Sequence, residues 1–86
     1  MASIEEVRSG IAAANQKASE SLGALQHAHS QLEEAQQSLV RVTEGSAQAD
    51  VNEANGQLQQ AVQSISEVQQ LVRSAISSAE GISQRL

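Results

Sequence analysis

The chain contains no phenylalanine, tyrosine or tryptophan among its 86 residues. Aromatic side chains supply much of the bulk of thick protein cores and of binding hot spots, so their absence predicts a thin core. Proline is also absent, and nothing in the sequence therefore forbids long continuous helices. The lack of cysteine excludes disulfides, thiolate metal sites and a cysteine nucleophile.

Basic residues are scarce and acidic residues exceed them, which gives a net charge of −5. Because nucleic-acid binding needs clustered Lys and Arg to neutralise phosphates, we expect no nucleic-acid partner. No apolar run approaches the roughly 20 residues of a transmembrane helix, and the N-terminus lacks the features of a Sec signal peptide. We therefore expect no membrane insertion and a cytoplasmic location, with export by a non-Sec route as the alternative.

Two ladders of residues, spaced alternately by three and four, dominate the sequence. This spacing is the heptad signature of a seam between helices. The first ladder contains Ile4, Val7, Ile11, Ala14, Ala18, Ser21, Leu25, Ala28, Leu32, Ala35, Leu39 and Val42. The second contains Val51, Ala54, Leu58, Ala61, Ile65, Val68, Val72, Ala75, Ala79, Ile82 and Leu86. Only Ser21 is polar; it is either a tolerated seam hydroxyl, bonded back along its own helix, or a residue that sets the register.

Local signals predict where the helices begin and end. Ser3 and Glu6 form a Ser-x-x-Glu capping box, which places helix 1 at about 4–43. Gly45 suits the position that follows a helix C-terminus. Asp50 is the preferred N-cap of helix 2, with Ser46 as the alternative one turn earlier. The result is a single domain over residues 1–86, with a turn at 44–50 and helix 2 at about 51–86.

A short connection between two helices of equal length predicts antiparallel packing. When Val42 faces Val51, large and small residues meet in the half of the hairpin near the turn, as in Leu39 with Ala54. Alternation of large and small residues allows helices to interdigitate. We therefore predict an all-α, antiparallel two-helix coiled-coil hairpin. Its main seam residues are Ile11, Leu25, Leu32, Leu39, Leu58, Ile65, Val72 and Ile82.

A lone hairpin of this size has a core that supplies only a few kcal/mol. Additional apolar residues beside the seam widen the apolar stripe, as expected for helices of a bundle. These residues are Leu22, Leu71, Ile76, Val62 and Val40, and we expect them to form an interface. A homodimeric four-helix bundle is the simplest solution, because two-fold symmetry is the commonest in oligomers. The alternative is a different helical protein partner that buries the same apolar residues.

Few residues suggest chemistry. His27 and His29 point about 200° apart on a helix, whereas helical metal ligands are three or four residues apart. We expect both histidines to face solvent. Glu33 and Glu34 are neighbours on an exposed helix and lack the shared pocket that paired catalytic carboxylates need. The sequence therefore predicts no enzyme activity, no cofactor and no metal site.

Short motifs resemble those of a group of small, uncharacterised actinobacterial proteins rich in Ala, Gln and Glu. These motifs are Ile-Glu-Glu-Val at 4–7, Glu-Gly-Ser at 44–46 and Ala-Glu-Gly at 79–81. In layout the chain is also similar to the Trp-x-Gly helical hairpins of type VII secretion, which form dimeric four-helix bundles. Gly45 stands where the glycine of that motif lies, Thr43 replaces its tryptophan, and the C-terminal tyrosine signal is missing.

We therefore expect a non-catalytic helical interaction or assembly module. The alternative is a small secreted effector, or a chaperone-like partner, associated with a type VII secretion or toxin system.

Overall fold

The computed structural model describes residues 2–44 and 49–86, and these residues form two long α-helices. Helix α1 spans Ile4–Val42 and helix α2 spans Ala49–Arg85. The two helices pack along each other and no strand occurs in either described range. The molecule measures 64 × 18 × 15 Å, which is a single layer of two helices. The all-α hairpin predicted from the sequence is confirmed.

Helix α1 begins and ends with the hydrogen bonds that helix termini require. The Oγ of Ser3 accepts a hydrogen bond from the backbone N–H of Glu6 at 3.1 Å, as the Ser-x-x-Glu pattern predicts. At the other end, the backbone N–H of Thr43 donates to the carbonyl of Leu39 at 3.1 Å. The Thr43 hydroxyl donates to the same carbonyl, which therefore accepts two hydrogen bonds from Thr43.

Helix α2 begins earlier than the sequence predicts. Its first residue is Ala49, so Asp50 lies inside the first turn and is not the N-cap. An aspartate in the first turn still interacts favourably with the positive end of the helix dipole. Gly45 and Ser46, the other residues predicted to shape the turn, lie outside the described residues.

Hydrogen bonds between side chains of one helix and groups on the other define the antiparallel register. The Nε2 of Gln69 donates to the Oε1 of Gln26 at 3.3 Å. Near the opposite end from the turn, the Nδ2 of Asn15 lies 3.5 Å from the carbonyl oxygen of Ile76 and 3.4 Å from the Oε2 of Glu80. An early residue of α1 thus meets a late residue of α2, as the antiparallel arrangement requires.

Burial shows which residues lie in the seam between the helices. On α1 the half-buried residues with heptad spacing are Ile11, Asn15, Ala18, Leu22, Leu25, His29, Leu32, Gln36, Leu39 and Thr43. On α2 the corresponding residues are Val51, Asn55, Leu58, Val62, Ile65, Gln69, Val72, Ile76, Ala79 and Ser83. Each set follows an unbroken alternation of three and four, the spacing of a two-helix seam. We call these two sets the seam.

Half of each predicted ladder is therefore displaced by one residue. The members at seven-residue spacing from Ile11 and from Val51 lie in the seam, as predicted, except Ile4 and Leu86 at the end of the hairpin away from the turn, which are exposed. The remaining members do not, because the next residue along the chain takes their place: Leu22 replaces Ser21, and Ile76 replaces Ala75. Larger side chains fill the space between two helices better than a hydroxymethyl or methyl group, and this favours the observed register.

Ser21 is consequently exposed and is not a seam residue. Its Oγ donates to the carbonyl of Ala18 on the same helix at 2.6 Å. The register-setting role considered for this serine is therefore wrong. Polar residues do occupy the seam, but at other positions.

The hairpin has very little interior. Across the described residues, no apolar side chain is buried, and the single buried residue is Gln69, with 6% of its surface exposed. A two-helix layer leaves all seam residues except Gln69 partly in contact with water. The thin core expected from the lack of aromatic residues is thus found, and it is thinner than an independently stable domain normally has.

Candidate functional site

The seam contains polar side chains that apolar periodicity does not reveal. Asn15, His29, Gln36, Asn55 and Gln69 all occupy seam positions. Gln69 satisfies its amide through the hydrogen bond with Gln26 on α1. A polar seam residue lowers stability relative to an apolar one but fixes one register, because only one alignment satisfies its hydrogen bonds.

His29 lies in the seam, and the prediction that both histidines face solvent is wrong for this residue. Its side chain is only 20% exposed, and its Nδ1 lies 3.1 Å from the Oε1 of Glu33, one turn further along α1. The two atoms are close but are not aligned for a hydrogen bond, and Nδ1 is buried with no other partner. His27, two residues earlier, is exposed as predicted.

A second buried polar atom, the Oδ1 of Asn55, also lacks a hydrogen-bond partner within the hairpin. An unsatisfied buried acceptor costs about 1–3 kcal/mol. Together with His29, this residue makes the seam polar on both helices. The seam therefore loses stability at these two positions, whereas Gln69 and Asn15 make hydrogen bonds to the other helix that favour one alignment.

One broad side of the hairpin is polar. The residues that directly follow Ile11, Val51 and their seven-residue repeats lie on this side, which we call the polar face. It contains Ala12, Ser19, Gln26, Glu33 and Val40 from α1, with Asn52, Gln59, Ser66, Arg73 and Glu80 from α2. Two of its members, Gln26 and Glu80, make the hydrogen bonds that cross between the helices.

The opposite broad side is uncharged and rich in alanine. The remaining seam residues are Asn15, Asn55 and their seven-residue repeats. Because the helices are antiparallel, the residues that directly precede these seam residues lie on one common side of the hairpin. We call this side the alanine face. It contains Val7, Ala14, Ser21, Ala28, Ala35 and Val42 from α1, with Ala54, Ala61, Val68, Ala75 and Ile82 from α2. These are the displaced members of the predicted ladders, so the apolar stripe of each helix extends from the seam onto this face.

The residues predicted to flank the seam do not form one surface. Leu22, Val62 and Ile76 are half-buried seam residues, so their predicted position beside the seam is wrong. Val40 is 56% exposed on the polar face, and Leu71 is 70% exposed on α2, one helical turn from Val68 and Ala75.

The predicted main seam residues lie at seam positions with one exception. Ile11, Leu25, Leu32, Leu39, Leu58, Ile65 and Val72 are half-buried there. Ile82 is 46% exposed and belongs to the alanine face, because Ser83 takes the seam position beside it. Sequence periodicity thus identified one of the two seam positions in each heptad. At the other position it selected the residue directly before the observed seam residue.

The arrangement offers little for chemistry. Within residues 2–44 and 49–86, no three His, Asp or Glu side chains are grouped closely enough to hold a metal ion. Glu33 and Glu34 are exposed neighbours. A shallow groove of about 540 Å³ lies near the end of α1, lined by Gln36, Gln37, Val40, Arg41 and Glu44. All of its lining residues come from one helix and the two residues after it, so it does not gather groups from both helices.

Neither described helix is long and apolar enough to cross a membrane. The comparisons with known proteins add no relationship. No protein-family model matches the chain, no curated protein is significantly similar to it, and no solved structure matches its fold significantly.

Proposed function

We propose that this chain is a non-catalytic helical assembly module that works as a homodimeric four-helix bundle. The observation that carries the proposal is the missing interior: among the described residues, no apolar side chain is buried. The hydrophobic effect scales with apolar area removed from water, and a single hairpin removes little. Packing a second layer of helices against the first supplies the missing burial.

The sequence of each helix also favours a bundle over an isolated hairpin. In a strict two-helix coiled coil, two of every seven residues on each helix are apolar. Helices of a bundle have a third apolar position in every seven residues. Here the third apolar position is present on both helices, as the alanine face. The seam itself is partly polar, so the apolar stripe of each helix is centred between the seam and that face.

Sedimentation equilibrium tests the proposal directly. We expect a molecular mass of twice the 9.0 kDa chain mass at micromolar concentration. A helical chain that remains at the single-chain mass at high micromolar concentration contradicts the homodimer. That outcome leaves the alternative of an effector or chaperone-like chain whose bundle is completed by a different helical protein.

A further inference from the structure

We infer that the second copy binds to the alanine face, and that the polar face remains open to solvent. This inference rests on the proposed homodimer and specifies which surface forms it. The occupant is a second copy of this chain, packed layer on layer with its own alanine face. The two hairpins then form a two-layer, four-helix bundle.

The first support is the distribution of charge. The alanine face contains no Asp, Glu, Lys or Arg, whereas the polar face carries Glu33, Arg73 and Glu80. Each chain has a net charge of −5, so two copies repel each other unless their charges point away from the contact. Association through the alanine face places no charged side chain from either copy in the centre of the interface, where unpaired charges are costly.

The second support is area. One broad side of the hairpin measures 64 × 18 Å, which is on the order of 1,000 Å² per copy, and a standard specific interface buries about 800 Å² per partner. The face also carries larger apolar residues among its alanines. Val68 is 43% exposed and Ile82 is 46% exposed, and both remain in contact with water in the single hairpin.

The third support is the match of the face to itself. The antiparallel register places Val68 of α2 next to Ala28 of α1, Ile82 next to Ala14, and Ala54 next to Val42. Three of the five levels therefore have one large and one small residue side by side, and the other two pair Ser21 with Ala75 and Ala35 with Ala61. A two-fold axis along the hairpin sets α1 of one copy over α2 of the other at the same level. Each large side chain then meets a small one across the interface, as interdigitating layers require.

Paired charge substitutions test the choice of face. Val68→Glu introduces a carboxylate into the proposed interface twice per dimer, while Ser74→Glu introduces the same carboxylate on the outer side of the same helix, opposite the seam. Ala35→Glu and Ala13→Glu form a second matched pair on α1, on the alanine face and on the outer side respectively. All four positions are exposed in the single hairpin, so each variant is expected to retain the helical content of the unaltered chain.

We expect Val68→Glu and Ala35→Glu to weaken dimerisation roughly a hundredfold or more, measured by sedimentation equilibrium over a concentration series. Ser74→Glu and Ala13→Glu should dimerise like the unaltered chain. Circular dichroism checks that each variant is helical, and the α1 pair decides the question if Val68→Glu unfolds. Loss of the dimer in the outer-side variants, with a dimer retained in the alanine-face variants, overturns the inference and leaves the homodimer intact. An unaltered chain that is monomeric overturns the homodimer itself.

Discussion

Single residues in the seam show a conflict between stability and alignment. His29 and Asn55 each place a buried polar atom between the helices without a hydrogen-bond partner, while Gln69 is buried and bonded to Gln26. Apolar side chains at these positions would remove more apolar surface area from water. They would also allow one helix to shift along the other by one heptad. Polar seam residues fix coiled-coil register in other proteins at a cost in stability, and the same reasoning applies here.

Replacing His29 by Leu should therefore stabilise the hairpin by about 1 kcal/mol, because it removes an unsatisfied buried nitrogen and adds apolar area. Urea unfolding followed by circular dichroism measures the change. His27→Leu is the matched control and should have little effect, since His27 is exposed. A lower stability for His29→Leu would mean that the proximity of His29 to Glu33 contributes more than the burial of Nδ1 costs.

Replacing Leu32 by Asp should destabilise the hairpin by about 3 kcal/mol, because it places an unpaired charge at a half-buried seam position. Gln31→Asp puts the same carboxylate on the exposed neighbouring residue and should change the unfolding midpoint very little. Similar effects of the two substitutions would show that the seam does not pass through Leu32.

The two helices differ in how clearly the sequence marks their ends. Helix α1 begins with a side-chain cap, Ser3, and has Glu5 and Glu6 in its first turn, where they complement the helix dipole. Helix α2 begins at Ala49, and the residue before it lies outside the described residues. The start of α1 was therefore predictable from its residues, whereas the choice of Asp50 as N-cap placed the predicted start of α2, at about 51, two residues too late.

Removing the cap with Ser3→Ala should lower the free energy of unfolding by about 1 kcal/mol. Ser9→Ala changes the same residue type at an exposed position in the second turn of α1, where alanine is the better helix former, and should be neutral or slightly stabilising. Thermal unfolding of both variants tests this difference. Equal effects would mean that the Ser3 hydrogen bond does not stabilise α1 in solution.

Exposed glycines inside the helices give a second prediction at this scale. A methyl group added at Gly23 or Gly56 meets no atom within 4 Å in the hairpin. Because glycine costs about 1 kcal/mol relative to alanine within a helix, Gly23→Ala and Gly56→Ala should each raise stability by up to that amount. A clear loss of stability or of dimer in either variant would indicate that another helix approaches closely at that glycine.

The seam shows why helix packing was only half predictable. Two overlapping ladders satisfy the three-and-four spacing on each helix. One combines Leu25 and its repeats with small residues such as Ala28, and the other combines the same repeats with larger or polar residues such as Leu22 and His29. A search for apolar residues at this spacing favours the first ladder, because more of its members are apolar. The folded hairpin selects the second, because the gap between helices must be filled and a methyl group does not fill it.

At the scale of the whole molecule, the hairpin has two different broad sides. Side chains that cross between the helices lie on the polar face, whereas the alanine face carries the apolar residues left out of the seam. The single-layer shape leaves every apolar residue of the described chain partly in water. The difference between the two sides and the exposure of the apolar residues are both expected if the hairpin is one layer of a two-layer bundle. In that bundle the alanine faces pack together and the charged side chains lie on the outside.

Small-angle X-ray scattering of the unaltered chain tests this account most directly, because one experiment gives both the mass and the longest dimension of the particle. Hairpins stacked through their alanine faces become thicker but not longer. We therefore expect a mass of twice 9.0 kDa with a longest dimension close to the 64 Å of one hairpin. A single-chain mass, or a dimer much longer than one hairpin, would contradict it.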